Sequence, residues 1–180
     1  MLVFTPHGGG IELGTTELVR AISGKLISYY CFNGRKKTGN SKLHITSINF
    51  DEEKLLNILQ SVDSSVSIHG CKGKKETVFL GGLDERLIEN IKESLYAYGF
   101  DVGTSDKFLG INPNNIANKN RKGMGAQIEV PYALRKKMFG DIREEKDRGT
   151  KTDVFWNFVY AIQDSIDPIF FDDSKIILNV

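Results

Sequence analysis

The sequence predicts a single α/β domain. Short apolar runs alternate with amphipathic helix patterns, glycine, charge or turn residues bound each run, and 180 residues suit one sizeable core. The opening, LVFTPHGGGIELGTTELVRAI, is the most informative stretch: an apolar run ends in a histidine, three glycines and a glutamate, and a helix signature follows at once. That order puts His7 and Glu12 at the carboxyl end of a strand and the entry of the next helix, where open α/β sheets build their sites.

Strand-like runs fall at residues 2–5, 25–32, 44–48, 65–68, 77–80 and 126–130. The first helix is expected to start at Thr15 or Thr16 with a hydroxyl cap, to bury Leu18, Val19 and Ile22, and to stop at Gly24. The second follows Asp51 as cap and buries Leu55, Leu56 and Leu59. The third has Asp84 as cap, Leu87, Ile88, Ile91, Leu95 and Tyr98 at helical spacing, and Gly99 as terminator. A last helix over residues 153–165 presents Val154, Phe155, Phe158, Val159 and Ile162 on one broad face, which suits a covering layer. Residues 139–152 read as a charged, glycine-punctuated loop. Residues 103–124, rich in asparagine and glycine, follow neither period, and such a stretch inside a compact domain is usually functional or disordered. Phe170, Phe171 and the IILNV tail either pack on the core or meet a partner, and no pattern sets the oligomeric state.

A net charge of +1 gives no reason to expect nucleic acid or a membrane surface as partner. Cys31 and Cys71 lack CxxC spacing and read as ordinary reduced thiols. No basic n-region precedes an apolar stretch, and no run approaches the ~20 apolar residues of a membrane span, so the expectation is cytoplasmic synthesis without a signal peptide.

The three histidines, His7, His44 and His69, each open or close a strand-like run. His69 ends SSVSIHG as His7 ends LVFTPH, each with glycine behind it, so two imidazoles at neighbouring strand ends could share one cavity with Glu12. Two histidines, one carboxylate and an open fourth position make a catalytic zinc site. Taken alone, the pattern better suits histidines that merely bond to backbone at strand ends. A zinc hydrolase also needs a base, and Glu129 in GAQIEVPYALR is the best candidate. Alternation puts it on one face with Gln127, and a carboxylate inside a buried strand is costly unless it faces a wet or metal-containing cavity. An edge strand with Glu129 in solvent is the alternative. Three basic groups adjoin these positions: Lys72, Lys74 and Lys75 after His69; Arg121 and Lys122 before Glu129; Arg135, Lys136 and Lys137 after it. A fourth lies at Arg35, Lys36 and Lys37. In a cleft they would hold an anionic substrate, with arginine suited to bidentate carboxylate capture; on turns they would simply be solvated. The glycine run also resembles a lipase oxyanion loop or a phosphate cradle, but there is no GxSxG elbow, GxxxxGK[ST] or GxGxxG.

Taken together, PHGGGIELGTTEL, LHITSINFDE, SIHG, VFLGGLDERLIENI, INPNNIANKNRKGMGAQIEV and YALR resemble the phage and bacillus poly-γ-glutamate hydrolase family, from about Val3 to Arg135, in order and at plausible spacing. The resemblance implies a mixed twisted sheet between helices, related to the zinc carboxypeptidases. It also implies one Zn2+ held by His7, Glu12 and His69, with Glu129 as general base. The implied activity is hydrolysis of the γ-linked, densely anionic polymer of capsules and biofilms. In that mechanism Glu129 takes the proton of the attacking water and passes it to the leaving amine, while the oxyanion rests on the metal and a nearby donor. Arg135 and Arg121 are expected to grip substrate carboxylates or the oxyanion. Asn118 and His44 are further candidates for the cleft, with a structural role equally open for His44. The alternatives are a non-catalytic domain binding an anionic polymer and an enzyme for small N-acyl or γ-glutamyl amides. A phage enzyme of this kind would be released at lysis. The family pattern further implies sequence ahead of the HGGG strand, which bears on substrate range and stability more than on metal binding, and the stretch after Gly140 lies beyond the matched motifs.

Overall fold

A computed structural model describes residues 1–144 and 146–170; Phe171 and the IILNV tail lie outside them, as does the side chain of Phe170. Six strands form one sheet: β1 (Leu2–Gly9), β2 (Ser28–Gly34), β3 (Ser65–Cys71), β4 (Val78–Gly82), β5 (Val102–Gly103) and β6 (Ala126–Pro131). Their order is β2-β1-β3-β6-β4-β5. The first four in that order run parallel, and β4 meets β6 antiparallel, so the sheet is mixed. Among the described residues five α-helices accompany it: α1 (Thr15–Ser23), α2 (Glu53–Leu59), α3 (Glu85–Ala97), α4 (Tyr132–Lys137) and α5 (Asp153–Phe170).

Period-two alternation divides the two central strands cleanly. Val66 and Ile68 of β3 and Ala126, Ile128 and Val130 of β6 enter the main core, where they meet Leu18, Val19 and Ile22 of α1, Leu87, Ile91 and Leu95 of α3, and Phe155, Phe158 and Ile162 of α5. The opposite face holds a smaller cluster: Leu2 and Phe4 of β1, Phe50, Leu55 and Leu59 around α2, and Ile116. So α1 connects β1 to β2 over one face, and α2 leads from β2 to β3 over the other. The strand order therefore reverses about β1, with β2 on one side of it and β3 on the other, and the carboxyl ends of β1 and β3 flank the crevice where α/β sheets place ligands.

The structure departs from several sequence expectations. Gly14, not a threonine, occupies the cap position of α1. The two hydroxyls instead pin the glycine loop: Thr15 Oγ1 donates to Glu12 O at 2.9 Å, and Thr16 Oγ1 accepts from Gly9 N at 2.8 Å. Glu52 rather than Asp51 caps α2, accepting from Lys54 N and Leu55 N. Asp84 caps α3 as expected, accepting from Leu87 N. Residues 44–48 form no strand, because the backbone here serves other groups: Ile45 O meets His7, and Ser47 O accepts from Ile116 N. The described residues of 139–152 do form a loop, closed by a Phe139–Lys151 bridge and by Arg148, which donates to Glu17 at 2.9 Å. α4 was not foreseen. Cys31 and Cys71 are both free thiols.

Candidate metal centre and cleft

A register shift between Thr5 and Gly8 bends the end of β1, and Gly9, at a φ of 65°, turns the chain back toward α1. Glu12 N then bonds to His7 O at 2.9 Å, which seats the glutamate beside the histidine. β3 delivers His69 from the neighbouring strand. His7 Nδ1 lies 3.2 Å from Glu12 Oε1 and 3.2 Å from His69 Nδ1, and His69 Nδ1 lies 3.9 Å from Glu12 Oε2. Ligand bonds of about 2.1 Å at tetrahedral angles put donor atoms about 3.4 Å apart, so these separations suit one ion.

The protonation pattern agrees. A carbonyl oxygen only accepts, so the 2.6 Å contact from His7 Nε2 to Ile45 O places a proton on Nε2 and leaves the Nδ1 lone pair facing Glu12 and His69. Burial pushes the His69 imidazole down to about 4, against a smaller upward pull from Glu12, so this ring is neutral at ordinary pH. Its Nε2 is buried without a hydrogen-bond partner among the described residues. Burial would raise the Glu12 carboxyl, but the neighbouring His7 and His69 rings and the Gly70 N–H at 2.8 Å together hold it below its ordinary value. Lone pairs of two imidazoles and a carboxylate thus face one point, and a cation there would satisfy them.

Glu129 sits directly across from His69 in the β3–β6 register, on the same face. It is buried, and burial, reinforced by Glu12 and opposed by Arg135, raises its carboxyl to about 8. His44 stacks on His7 with ring centroids 3.9 Å apart and brings Nε2 to 3.3 Å from Glu12 Oε1. All five residues line one cleft of about 1130 Å3, to which the 44–48 and 106–112 segments contribute walls, with Lys72, Lys107 and Arg135 among its cations.

Not every expected residue arrives there as foreseen. Arg121 is exposed and forms a two-pronged pair with Asp63, 2.6 Å at each prong, away from the cleft lining. Asn118 is buried and bonds to Leu83 N, Gly125 N, Gly110 O and Asn112 O, so it ties the irregular loop together and does not line the cleft. Arg135 lines the cleft, yet its guanidinium donates to Val130 O, Leu13 O and Cys71 O, bracing two strand ends against the loop that carries Glu12. It lies so close to Gly70 that a Cβ there would meet Cζ at 2.5 Å. Sequence reasoning missed Lys107, whose only signal was its place in the aperiodic stretch, and Asn115, whose partner Gln127 it had placed beside Glu129.

Against known proteins, the model of the family described as poly-gamma-glutamate hydrolase matches residues 1–161. The chain belongs to that family. The match runs past Gly140 and takes in the first half of α5, so the family pattern extends beyond the motifs read in the sequence. Two Bacillus subtilis (strain 168) proteins are similar: the SPbeta prophage-derived UPF0714 protein YoqZ, 39% identical over 90% of this chain, and the UPF0714 protein YndL, 37% identical over 88%. The chain spans 60% and 64% of their lengths. Among solved structures, a bacteriophage poly-gamma-glutamate hydrolase aligns over 94% of this chain and 84% of its own, with a TM-score of 0.91 and 34% identity. A zinc-free structure of YndL aligns over 94% of this chain and 85% of its own, at a TM-score of 0.88 and 36% identity.

Proposed function

We propose that this protein is a zinc-dependent hydrolase that cleaves γ-glutamyl amide bonds in poly-γ-glutamate. The observation that carries the reading is the convergence of His7, Glu12 and His69 with Glu129 set across from His69 on the same face of the sheet. His7 and His69 would hold zinc through ring nitrogens and Glu12 through its carboxylate. When bound, the metal supplies a Lewis acid that polarises the scissile carbonyl and lowers the pKa of the attacking water toward about 7.

The remaining steps belong to the protein. Glu129 takes the proton as the water oxygen attacks the amide carbon, and gives it to the leaving nitrogen as the C–N bond breaks. The Ile45 carbonyl fixes the His7 tautomer, and the Gly70 N–H fixes Glu12. Lys72 and Lys107 on the cleft lining suit the carboxylates of a polyanion, and Arg135 keeps guanidinium N–H groups beyond its three carbonyl bonds for a substrate or oxyanion contact. His44, held against Glu12, steadies the ligand and borders the substrate. The prophage origin of YoqZ supports a phage setting, with release at lysis.

The test is the chain length of poly-γ-glutamate after incubation with purified, zinc-loaded protein, with and without a chelator. Shortening that the chelator abolishes supports substrate class, reaction and metal together. An unchanged polymer with zinc still bound would reject the substrate and direct the search to small γ-glutamyl or N-acyl amides.

A further inference from the structure

We propose that Asn115 and Gln127 are positioning residues that set the donor seen by the carboxylate of Glu129, and so tie the base to the irregular wall of the cleft. Three buried side chains form a directed chain. Asn115 Oδ1 accepts from the backbone Ala117 N at 2.9 Å, Asn115 Nδ2 donates to Gln127 Oε1 at 2.8 Å, and Gln127 Nε2 donates to Glu129 Oε1 at 3.3 Å.

The direction follows from the first link. A backbone N–H can only donate, so the oxygen of the Asn115 amide must face Ala117 and its NH2 must face Gln127. The carbonyl end of the Gln127 amide then faces Asn115, which leaves its NH2 end for Glu129. Without Asn115, Gln127 could turn its oxygen toward the carboxylate and set two acceptors against each other. Asn115, Gln127 and Glu129 are each at least 93% buried, so water offers little alternative to these contacts. With Oε1 held by Gln127, Oε2 is the oxygen left for the proton of the attacking water.

The chain also reaches both cleft walls. Asn115 N donates to Asn112 O at the end of the 106–112 wall, and the next residue, Ile116, donates from N to Ser47 O on the 44–48 wall at 2.9 Å. A displaced wall therefore moves Asn115, and Asn115 moves the donor on Glu129.

The inference rests on Glu129 acting as the base. Its test compares Gln127→Met, Asn115→Asp and Asn115→Ala at pH 8, measuring zinc content, kcat and KM. Gln127→Met removes the donor at similar volume. Asn115→Asp keeps the bond from Ala117 but presents an acceptor to Gln127, which turns the Gln127 oxygen onto Glu129. Kcat should fall about 10- to 100-fold in both, with zinc content and KM held, a modest share of the 10²- to 10⁴-fold that a positioned base supplies. Asn115→Ala should retain more activity than Asn115→Asp, although it loses more bonds; a purely structural role requires the reverse order. Full kcat in Gln127→Met, or Asn115→Ala below Asn115→Asp, overturns the relay. Should Gln127→Met fail to fold, the order of the Asn115 pair still decides. Absence of turnover in the unsubstituted protein would instead overturn the proposed function, and the relay's role with it.

Discussion

The two faces of β3 and β6 belong to the same strands yet are built from opposite materials. One presents Val66, Ile68, Ala126, Ile128 and Val130 to three helices. The other presents Ser65, Ser67, His69, Gln127 and Glu129, all of them buried. Burying five polar side chains on adjacent strands is costly without partners, and two of the five, Ser65 and Gln127, find theirs in the irregular stretch of residues 103–124. Ser65 Oγ donates to Ala117 O at 2.8 Å and accepts from Asn120 Nδ2 at 2.8 Å, while Asn115 reaches Gln127. A helix could not do this, since its backbone groups are already paired; an asparagine-rich loop offers both backbone and amide groups to a polar sheet face. The comparison teaches why the least regular segment covers the face that holds the site.

The largest effects should come from the polar face, on chemistry and not on folding. His69→Ala is expected to abolish stoichiometric zinc binding, read by atomic absorption after dialysis. Glu129→Gln should keep zinc and lose turnover by 10²- to 10⁴-fold, the usual worth of a general base. Near-normal hydrolysis by Glu129→Gln would remove the base from its role and make the two faces less distinct than they look. On the apolar face the order reverses. Ile68→Ala should cost about 2–5 kcal/mol of stability in urea denaturation, through lost burial and a cavity, yet leave kcat per folded molecule unchanged.

Asn118→Ala, in the loop between, should cost about 1–3 kcal/mol, because it strands the buried Gly125 N–H and removes the partner of groups at Leu83, Gly110 and Asn112. A loss as large as that of Ile68→Ala would mean that the loop is as much a core as the helices are.

What the sequence made legible follows the same division. Wherever burial is apolar, periodicity reveals it: α3 with Asp84 as cap and Gly99 beyond it, and the broad face of α5 against the core. His7, Glu12, His69 and Glu129 were legible because each marks a strand end or breaks an apolar alternation. Residues 44–48 misled because a short strand-like run was read as a strand, while the carbonyls of Ile45 and Ser47 are taken by His7 and Ile116 and not by a ladder. Arg121, beside a proposed site residue in sequence, and Asn118, inside a matched motif, misled because neither closeness nor motif membership says which way a loop turns. Asn118 points inward to hold the loop, and Arg121 outward to Asp63.

A smaller effect should appear in the pH dependence of the zinc-free protein. Glu129, raised from 4.5 to about 8 by burial and by Glu12, keeps its proton in the folded state where the unfolded chain has released it. The unfolded state then binds fewer protons, so this group makes stability fall as pH rises from 4.5 to 8. His69, lowered from 6.5 to about 4 by burial, refuses a proton that the unfolded chain accepts, so it makes stability rise with pH from 4 to 6.5. The two oppose each other below pH 6.5. Above it Glu129 acts without His69, and stability should fall toward pH 8 by at most about 1.4 kcal/mol per unit, the worth of one proton. In Glu129→Gln the fall between pH 6.5 and 8 should disappear from denaturation curves taken in chelator, and a persistent slope would assign it to another group.

The smallest effect belongs to Arg121, and its smallness is the point. This guanidinium lies beside Asn120 and five residues before Ala126 of β6, so closeness in sequence would place it at the site, whereas the structure pairs it with Asp63 on the exposed rim. Exposed ion pairs contribute little, because water and salt screen them and two long side chains lose freedom in forming them. Arg121→Ala should therefore leave Tm, zinc content and hydrolysis of an anionic polymer unchanged, at low salt as well as high. Lys107→Ala, on the cleft wall, should raise KM for the polymer at low salt and lose that effect as salt increases. Were Arg121→Ala to raise KM as Lys107→Ala does, the substrate path would run beyond the cleft and over the outer rim of the loop, and the polar face would extend further than the two strands that define it.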